Sequence, residues 1–396
     1  MQKATAEKSG DGSTAVRQRD LRLDFFRGLA LWLIFIDHIP NNIVSRVTVR
    51  NYGFSDAAEI FVFISGYSAA VAYSRAMRDE GFLVASARIL KRVWQLYVAF
   101  VLLLAVFFAQ IAYVARTFEN PLFAEEMNIV DLLKQPDVTL PRALMLQFNP
   151  ANMDILSVYI VLLLTFPFAL WLLLRAPTLA LGLSLALYIA AGHFEWYFTA
   201  YPQGYWVINP LHWQLLFVFG GWCALGGAQK LAPVLKSPIT IVLAIAYLVF
   251  AFLIVRSWYY PTLSEFKPGW LHDFLYPIDK TNLDPLRFLH FTCYAVLAAW
   301  LVPKSWSALR SPWLKPAVLC GQHSLEIFCL GVFLSSAAYF VIIETSGGWP
   351  TQIMISLAGV AIMIAVAAWL NFFKDFNRKY GFDGRVADAD IAGGYA

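Results

Sequence analysis

Long apolar stretches recur along nearly the whole chain, separated by connections that are richer in polar residues. A helix that crosses the bilayer core needs about 20 predominantly apolar residues, and ten stretches approach or exceed that length. They cover residues 25–43, 54–76, 93–115, 154–174, 178–194, 209–227, 238–256, 285–303, 316–343 and 350–373. The pattern predicts an all-α polytopic membrane protein with about ten transmembrane helices in one bundle.

The composition is typical of a membrane protein and argues against a soluble domain, a metal site and a nucleic-acid partner. Hydrophobic residues make up 59% of the chain, charged residues 14%, and the mean hydropathy is +0.60. Soluble domains average about 25% charged residues. Cys223, Cys293, Cys320 and Cys329 lie in predicted spans without paired spacing, so we expect free buried thiols and no metal site. We attribute the net charge of +4 to the Lys and Arg residues that mark the cytoplasmic connections, and we expect no nucleic-acid partner.

Basic residues indicate the orientation, because cytoplasmic connections collect Lys and Arg. With the N-terminus inside, 20 of the 30 Lys and Arg residues lie on the inner side and eight lie in outer connections. We therefore expect a multi-pass membrane protein with both termini cytoplasmic. Residues 1–20 lack the apolar core of a secretory signal and are predicted to be a disordered cytoplasmic tail. Residues 21–376 are predicted to form the integral membrane domain, and residues 377–396 a cytoplasmic C-terminal tail.

The first helix carries Asp24, Arg27, Asp37 and His38 in an otherwise apolar sequence. Ionisable groups in spanning helices cost roughly 2.5 to 3.5 kcal/mol each, so they normally face protein or a wet cavity. Arg27 and His38 are eleven positions apart, which returns to nearly the same helix face about 16 Å further along. Arg27 is predicted near the inner end and His38 toward the outer side.

His38 is the predicted general base, and a nearby carboxylate (Asp37, Asp56 or Glu59) would tune its imidazole. Alternatively, His38 makes only a helix-end bond. Ser55 or Asp56 is expected to cap the second helix. Glu59, one turn deeper, needs a cation, for which His38, Arg50 and Arg287 are the candidates.

The inner half holds residues that suit an acyl donor. Arg27 would steady the donor, or would pair structurally with Asp24 or Glu326. Ser65 and Gly66 either border a narrow channel for an acyl-pantetheine arm or let helices approach closely. Arg88, Lys91 and Arg92 either bind the phosphates of a nucleotide thioester or are only the positive-inside signal.

Polar groups at the outer ends of other helices would position a sugar. The predicted substrate-binding residues are Asp56, Asp154, His212, Arg287 and His290, each of which could instead be a cap or a satisfied interfacial group. The outer connection over 257–284 contains the aromatic run WYYPTLSEFKPGWLHDFLYP. Such a run is typical of the Trp and Tyr belt at membrane interfaces, although it also suits sugar stacking.

These motifs resemble a known family. RLDFFRGLALWLIFIDHIP and NYGFSDAAEIFVFISGYSAA, followed by MDILSVYIVLLL, NPLHWQLLFVFGGW, DPLRFLHF and GQHSLEIF, resemble the OpgC-type proteins of bacterial inner membranes from about residue 20 to 373. The Arg27 and His38 spacing is similar to the Arg-X10-His pattern of acyltransferase-3 enzymes. The resemblance implies succinylation of osmoregulated periplasmic glucans from cytoplasmic succinyl-CoA, with His38 in acyl transfer and Arg27 supporting the donor. Leu325 departs from the Gly-Ser-Tyr-type motif, so no role is carried to GQHSLEIF.

We therefore expect a membrane-bound O-acyltransferase, with acyl-CoA as donor co-substrate, a glucan acceptor and no permanently bound cofactor. One rival is a transporter or flippase of a glycan or organic anion, for which broken midplane helices and inverted repeats would be typical. A second rival is a structural partner of a glucan synthase, in which the buried charges would be individually dispensable. The identity of the acyl group and the oligomeric state are left open.

Overall fold

The computed structural model describes residues 20–265, 268–345 and 347–381. Its helices, in chain order, are α1 (Leu21–Asp37), α2 (Ala57–Asp79), α3 (Phe82–Thr117), α4 (Leu122–Glu126), α5 (Val130–Lys134), α6 (Pro136–Leu144), α7 (Asp154–Arg175), α8 (Pro177–His193), α9 (Pro210–Trp222), α10 (Ala228–Leu235), α11 (Pro238–Ser257), α12 (Pro261–Glu265), α13 (Gly269–Leu275), α14 (Pro285–Leu301), α15 (Lys315–Gln322), α16 (Ser324–Glu344) and α17 (Trp349–Tyr380). The remaining described residues form loops, short 3₁₀ and π turns and one isolated β-bridge between Thr199 and Tyr205. The predicted all-α fold is confirmed.

Each predicted apolar stretch coincides with one helix or with two consecutive ones. Within the described residues, seven helices are long and apolar enough to cross a membrane, with α9 and α10 counted as one. The helices α8 and α14 are apolar but shorter, and α1 has 17 residues with charged side chains along its length. The protein is thus a multi-pass membrane protein, and the predicted number of about ten spans is approximate.

The predicted tails lie largely outside the described residues. The N-terminal tail over 1–20 is described only at Asp20, which caps α1 by accepting a hydrogen bond from the backbone N–H of Arg22 at 3.2 Å. At the other end, α17 continues through Tyr380.

Local sequence explains where the helices that border the site begin. Asp56 accepts from the backbone N–H of Ala58 at 2.8 Å, and the Glu59 carboxylate accepts from the backbone N–H of Asp56 at 2.8 Å. This reciprocal arrangement is a capping box, so Asp56 is the cap of α2 out of the two predicted candidates, Ser55 and Asp56. Asn209 and Asp284 cap α9 and α14, and each is followed by proline, whose missing N–H and fixed φ suit the first turn of a helix.

Helix α1 packs at the centre of the bundle, where glycine lets backbones approach. A Cβ atom on Gly28 would lie 1.8 Å from the carbonyl oxygen of Ala317 in α15, and one on Gly321 would lie 1.8 Å from that of Asp24. The crossing of α2 and α9 is equally close at Gly66, where a Cβ atom would lie 2.0 Å from the carbonyl oxygen of Phe217. We call the side of the bundle on which α1 ends the His38 side, and the opposite side the Arg22 side.

Candidate active site

Two cavities lie along α1, and each is lined by residues of α1, α2 and α7. The first has a volume of about 410 Å³ on the His38 side, and we call it the His38 cavity. Its polar lining residues are Asp37, His38, Arg50, Ser55, Asp56, Asn152, Asp154, Trp258, Lys280 and Arg287. The second has a volume of about 220 Å³ and lies toward the Arg22 side, and we call it the Arg27 cavity. Its polar lining residues are Arg27, Ser65, Ser68, Tyr73, Arg92, Tyr159, Gln322 and Ser324.

His38 sits at the end of α1, where the helix opens into the His38 cavity. Its backbone N–H bonds the carbonyl of Ile34 at 3.0 Å, and its own carbonyl accepts from the Asn152 side chain at 3.3 Å. The backbone is therefore held from two directions. The imidazole Nδ1 is buried and has no hydrogen-bond partner among the described residues. The two backbone bonds thus fix the position of the ring at the lining of the cavity.

Asp37 lines the same cavity, but its carboxylate is engaged by a neighbour. The Thr48 hydroxyl donates to Asp37 Oδ1 at 2.5 Å, and the Arg50 guanidinium donates to the Asp37 carbonyl at 3.3 Å. The direct bond of the Asp37 side chain therefore ties the end of α1 to the following loop.

Four charged residues are joined by ion pairs at one wall of the His38 cavity. Arg287 Nε donates to Glu59 Oε1 at 2.8 Å, and its Nη2 lies 2.6 Å from the same oxygen and 3.3 Å from Asp56 Oδ2. Lys280 Nζ donates to Asp56 Oδ2 at 2.7 Å. Glu59 is completely buried, whereas the Lys280 side chain is 42% exposed. Two cations balance two carboxylates, so the buried Glu59 charge is compensated.

The network determines the ionisation of Asp56, which lies just before α2. Burial by itself would raise the pKa of this carboxyl, but the positive charges of Lys280 and Arg287 and the hydrogen bonds from Lys280 and Ala58 lower it well below its ordinary value. Asp56 is therefore an anion at physiological pH, which makes it a fixed acceptor for Lys280 at the cavity wall.

Arg27 spans the junction of three helices beside the second cavity. Its guanidinium donates to the Ser68 hydroxyl at 2.5 Å and to the carbonyl of Gly321 at 3.4 Å, and it lies 3.8 Å from the Asp24 carboxylate. The side chain is 11% exposed and faces the cavity. Of the structural partners considered above, Asp24 is the one in contact, while Glu326 is exposed.

The Arg27 cavity is cationic and rich in hydroxyl groups. Arg27 and Arg92 line it together with Ser65, Ser68 and Tyr159, and no carboxylate is among its described lining residues. Arg92 also donates to the Gln95 side chain at 3.1 Å. Arginine and hydroxyl donors suit an anionic or amide-bearing ligand, and Asp24, which does not line the cavity, offsets part of the Arg27 charge.

A family model described as OpgC protein matches residues 19–375. The chain belongs to the OpgC family. No curated protein and no solved structure matches it. Membership of the OpgC family indicates a transferase and supports a role in glucan succinylation in general.

The structure brings together most of the site residues predicted for this OpgC family member. On the His38 side, His38, Asp37, Asp56, Asp154 and Arg287 share one cavity. On the Arg22 side, Arg27, Ser65 and Arg92 share the other. The roles given to these residues stay predictions.

The other predicted site residues lie elsewhere. Gly66 is buried against the α9 backbone, so close helix approach explains it. Arg88 and Lys91 are exposed on α3, and Arg88 pairs with Glu80 at 2.6 Å. Glu59 lies behind the cavity wall, where Arg287 is the cation that it needs.

Neither of the other predicted sugar-binding histidines borders the His38 cavity. His212 is buried in α9 with its ring against Tyr188, at a centroid distance of 5.1 Å. His290 is completely buried and bonds the backbone N–H of Ser55 at 3.2 Å and the Ser55 hydroxyl at 2.7 Å through Nδ1. Its position explains Gly53, because a Cβ atom there would lie 1.8 Å from the His290 ring.

Several cavity residues have no site role predicted from the sequence, among them Lys280, Asn152 and Trp258. Lys280 lies 224 positions from its partner Asp56, and nothing in its spacing relates the two. Asn152 holds the His38 carbonyl and precedes α7. Of these three residues, only Trp258 had a sequence signal, because it belongs to the aromatic run after α11 that suits sugar stacking.

Proposed function

We propose that the protein is an O-acyltransferase of the bacterial inner membrane. It transfers a succinyl or similar acyl group from cytoplasmic succinyl-CoA to a hydroxyl of a periplasmic glucan. The observation that carries this proposal is the pairing of two cavities along α1. One holds His38 among sugar-compatible polar groups, and the other holds Arg27 and Arg92 without a lining carboxylate.

The basic residues support an orientation for the reaction. Arg75, Arg78, Arg88, Lys91 and Arg92 cluster where α2 ends and α3 begins, on the Arg22 side. The positive-inside rule favours this side as the cytoplasmic one, so both termini are cytoplasmic in the proposal. The donor then arrives from the Arg22 side, and the glucan binds on the His38 side.

The proposed chemistry is a direct transfer in a ternary complex. The glucan hydroxyl oxygen attacks the thioester carbonyl, so an ester C–O bond forms while the C–S bond breaks. His38 accepts the hydroxyl proton and returns it to the CoA thiolate. This route needs no acyl-histidine. Asp37 supports the imidazolium through its charge.

The remaining residues bind and position the two substrates in the proposal. Arg27 and Ser65 hold the pantetheine arm, and Arg92, with Arg88 and Lys91 on the adjoining surface, meets the phosphates. Asp56, Asp154 and Arg287 hold sugar hydroxyls. Glu59 positions Arg287 through its ion pair.

Replacement of His38 tests this function. His38→Ala at normal membrane levels is expected to lower succinate on extracted glucans by about 10²- to 10⁴-fold, the usual contribution of a general base. His193→Ala is the matched control, because His193 is exposed at the end of α8, away from both cavities. Unchanged succinylation in His38→Ala would defeat the proposal.

The two cavities also suit one rival, since a transporter needs binding space toward each side of the membrane. Purified protein incubated with labelled succinyl-CoA and glucan separates the functions. An acyltransferase releases one CoA for each ester formed. A transporter, or a structural partner of a glucan synthase, releases none.

A further inference from the structure

The two cavities have one lining residue in common. Ile155, in the first turn of α7, lines both the His38 cavity and the Arg27 cavity. No other described residue lines both. Its neighbour Asp154 lines only the His38 cavity, and Leu156 lines only the Arg27 cavity. Ile155 is therefore the point at which the two cavities adjoin.

Apolar side chains line part of each cavity that Ile155 borders. Ile34 and Ala58 line the His38 cavity, while Phe61 and Phe328 line the Arg27 cavity with ring centroids 6.1 Å apart. Ile155 itself is 6% exposed. A β-branched side chain in a helix has one strongly preferred χ1 rotamer, so the Ile155 side chain is stiff. A stiff side chain at this point limits the width of any group that passes from one cavity to the other.

We infer that Ile155 forms the constriction through which the acyl group passes, and that its size limits the width of the acyl group that the protein transfers. This inference rests on the proposed function, because that function requires a thioester from one cavity to meet His38 in the other. A wider opening would admit a wider acyl group. The existing residue would favour a slender one, such as succinyl.

The first test compares donors of different width. Succinyl-CoA and phenylsuccinyl-CoA carry the same single free carboxylate and the same nucleotide, but the second has an added ring. In Ile155→Ala, the ratio of kcat/KM for phenylsuccinyl-CoA to that for succinyl-CoA is expected to rise by at least about tenfold, a typical discrimination by one apolar pocket contact. Ile160→Ala is the control, because Ile160 is a buried isoleucine of α7 that lines neither cavity. An unchanged ratio in Ile155→Ala would overturn the inference.

The second test examines the constriction without relying on activity. Ser65→Cys places a thiol in the Arg27 cavity, and an anionic methanethiosulfonate is added only on the His38 side of sealed vesicles. Modification is expected to be more than about tenfold faster when Ile155→Ala is combined with Ser65→Cys, because removal of the side chain widens the opening through which the reagent must pass. The Ile160→Ala combination should react as slowly as Ser65→Cys alone, and vesicles without the new cysteine give the background.

Equal rates with and without Ile155→Ala would overturn the inference that Ile155 forms the constriction. Faster labelling, together with no acyl transfer from any donor by any variant, would instead contradict the proposed function and leave the constriction standing.

Discussion

At the residue scale, the main feature of the site is how it accommodates charge within an apolar protein. Glu59 is completely buried, and a lone carboxylate there would be costly. Arg287 offsets this cost through two contacts on one Glu59 oxygen, and the backbone N–H of Asp56 satisfies the other. The same guanidinium reaches Asp56, which also holds Lys280. In the wall of the cavity, the positive charges of Arg287 and Lys280 therefore compensate the negative charges of Glu59 and Asp56.

Removal of one partner should be far more damaging than removal of both. Arg287→Met is expected to lower the free energy of unfolding by about 3–5 kcal/mol, because it leaves Glu59 uncompensated. Adding Glu59→Gln to Arg287→Met should restore part of that loss, as measured by reversible unfolding in mixed micelles. Arg378→Met breaks an exposed pair with Asp375 and should cost at most about 1 kcal/mol. Additive losses at positions 59 and 287 would contradict the network.

The lowered pKa of Asp56 predicts a particular pH dependence. A carboxyl whose pKa is depressed by folding contributes stability above its ordinary value of 3.8 and loses that contribution as pH falls through the folded value. The Tm difference between wild type and Asp56→Asn should stay constant from pH 7 to about pH 5 and should narrow only below about pH 4. A difference that already disappears near pH 6 would show that Asp56 is not held by Lys280 and Arg287.

At the scale of elements, the site depends on backbones that approach closely around α1 and α2. Gly28 and Gly321 face each other's helices across the crossing of α1 and α15, and Gly66 meets α9. Helices in membranes use small residues in this way because van der Waals packing replaces the hydrophobic effect between them. The crossings set the position of Arg27, which bonds α1 to α2 and α15.

Alanine at a crossing should therefore separate the helices. Gly66→Ala is expected to destabilise the protein by about 1–3 kcal/mol, the usual cost of overpacking, because the Phe217 backbone cannot move aside as a flexible side chain would. Gly182→Ala in α8 is the control, since nothing lies within 4 Å of the added Cβ atom. That substitution should be neutral or should stabilise the helix by roughly 0.5–1 kcal/mol. Thermal denaturation in detergent measures both, and equal effects would contradict this packing.

At the scale of the whole molecule, the helices arrange two cavities in series between the two sides of the bundle. The starts of α2 and α7 and the end of α1 meet at the His38 cavity, while the Arg27 cavity lies toward the Arg22 side. An acyl transfer across a membrane requires such a series, because donor and acceptor occupy different compartments.

The proposed orientation predicts the outcome of reporter fusions. Green fluorescent protein fused after Tyr380 should fluoresce, because that end is cytoplasmic in the proposal. Alkaline phosphatase inserted in the connection between α11 and α14 should be active, because that connection lies on the His38 side with Lys280. Activity of the phosphatase after Tyr380 would reverse the orientation and remove cytoplasmic acyl-CoA as the donor.

Much of the fold follows from sequence alone because its causes are local. Apolar runs of span length predict the helices, and the capping residues Ser55 and Asp56 predict where the second helix starts. The spacing of Arg27 and His38 on one helix predicts their separation along a common face, because the geometry of an α-helix is known before any packing. These signals require only neighbouring residues and a bilayer.

Only the tertiary structure decided which distant groups meet. Glu59 had three possible cations, and packing of α14 against α2 selected Arg287, 228 positions away. The same packing brought Lys280 to Asp56 and turned His290 into a partner of Ser55 rather than a cavity residue. Gly66 could have bordered a channel, but α9 covers it. Contacts between helices depend on how side chains of the whole bundle fill space together, and no local pattern contains that information.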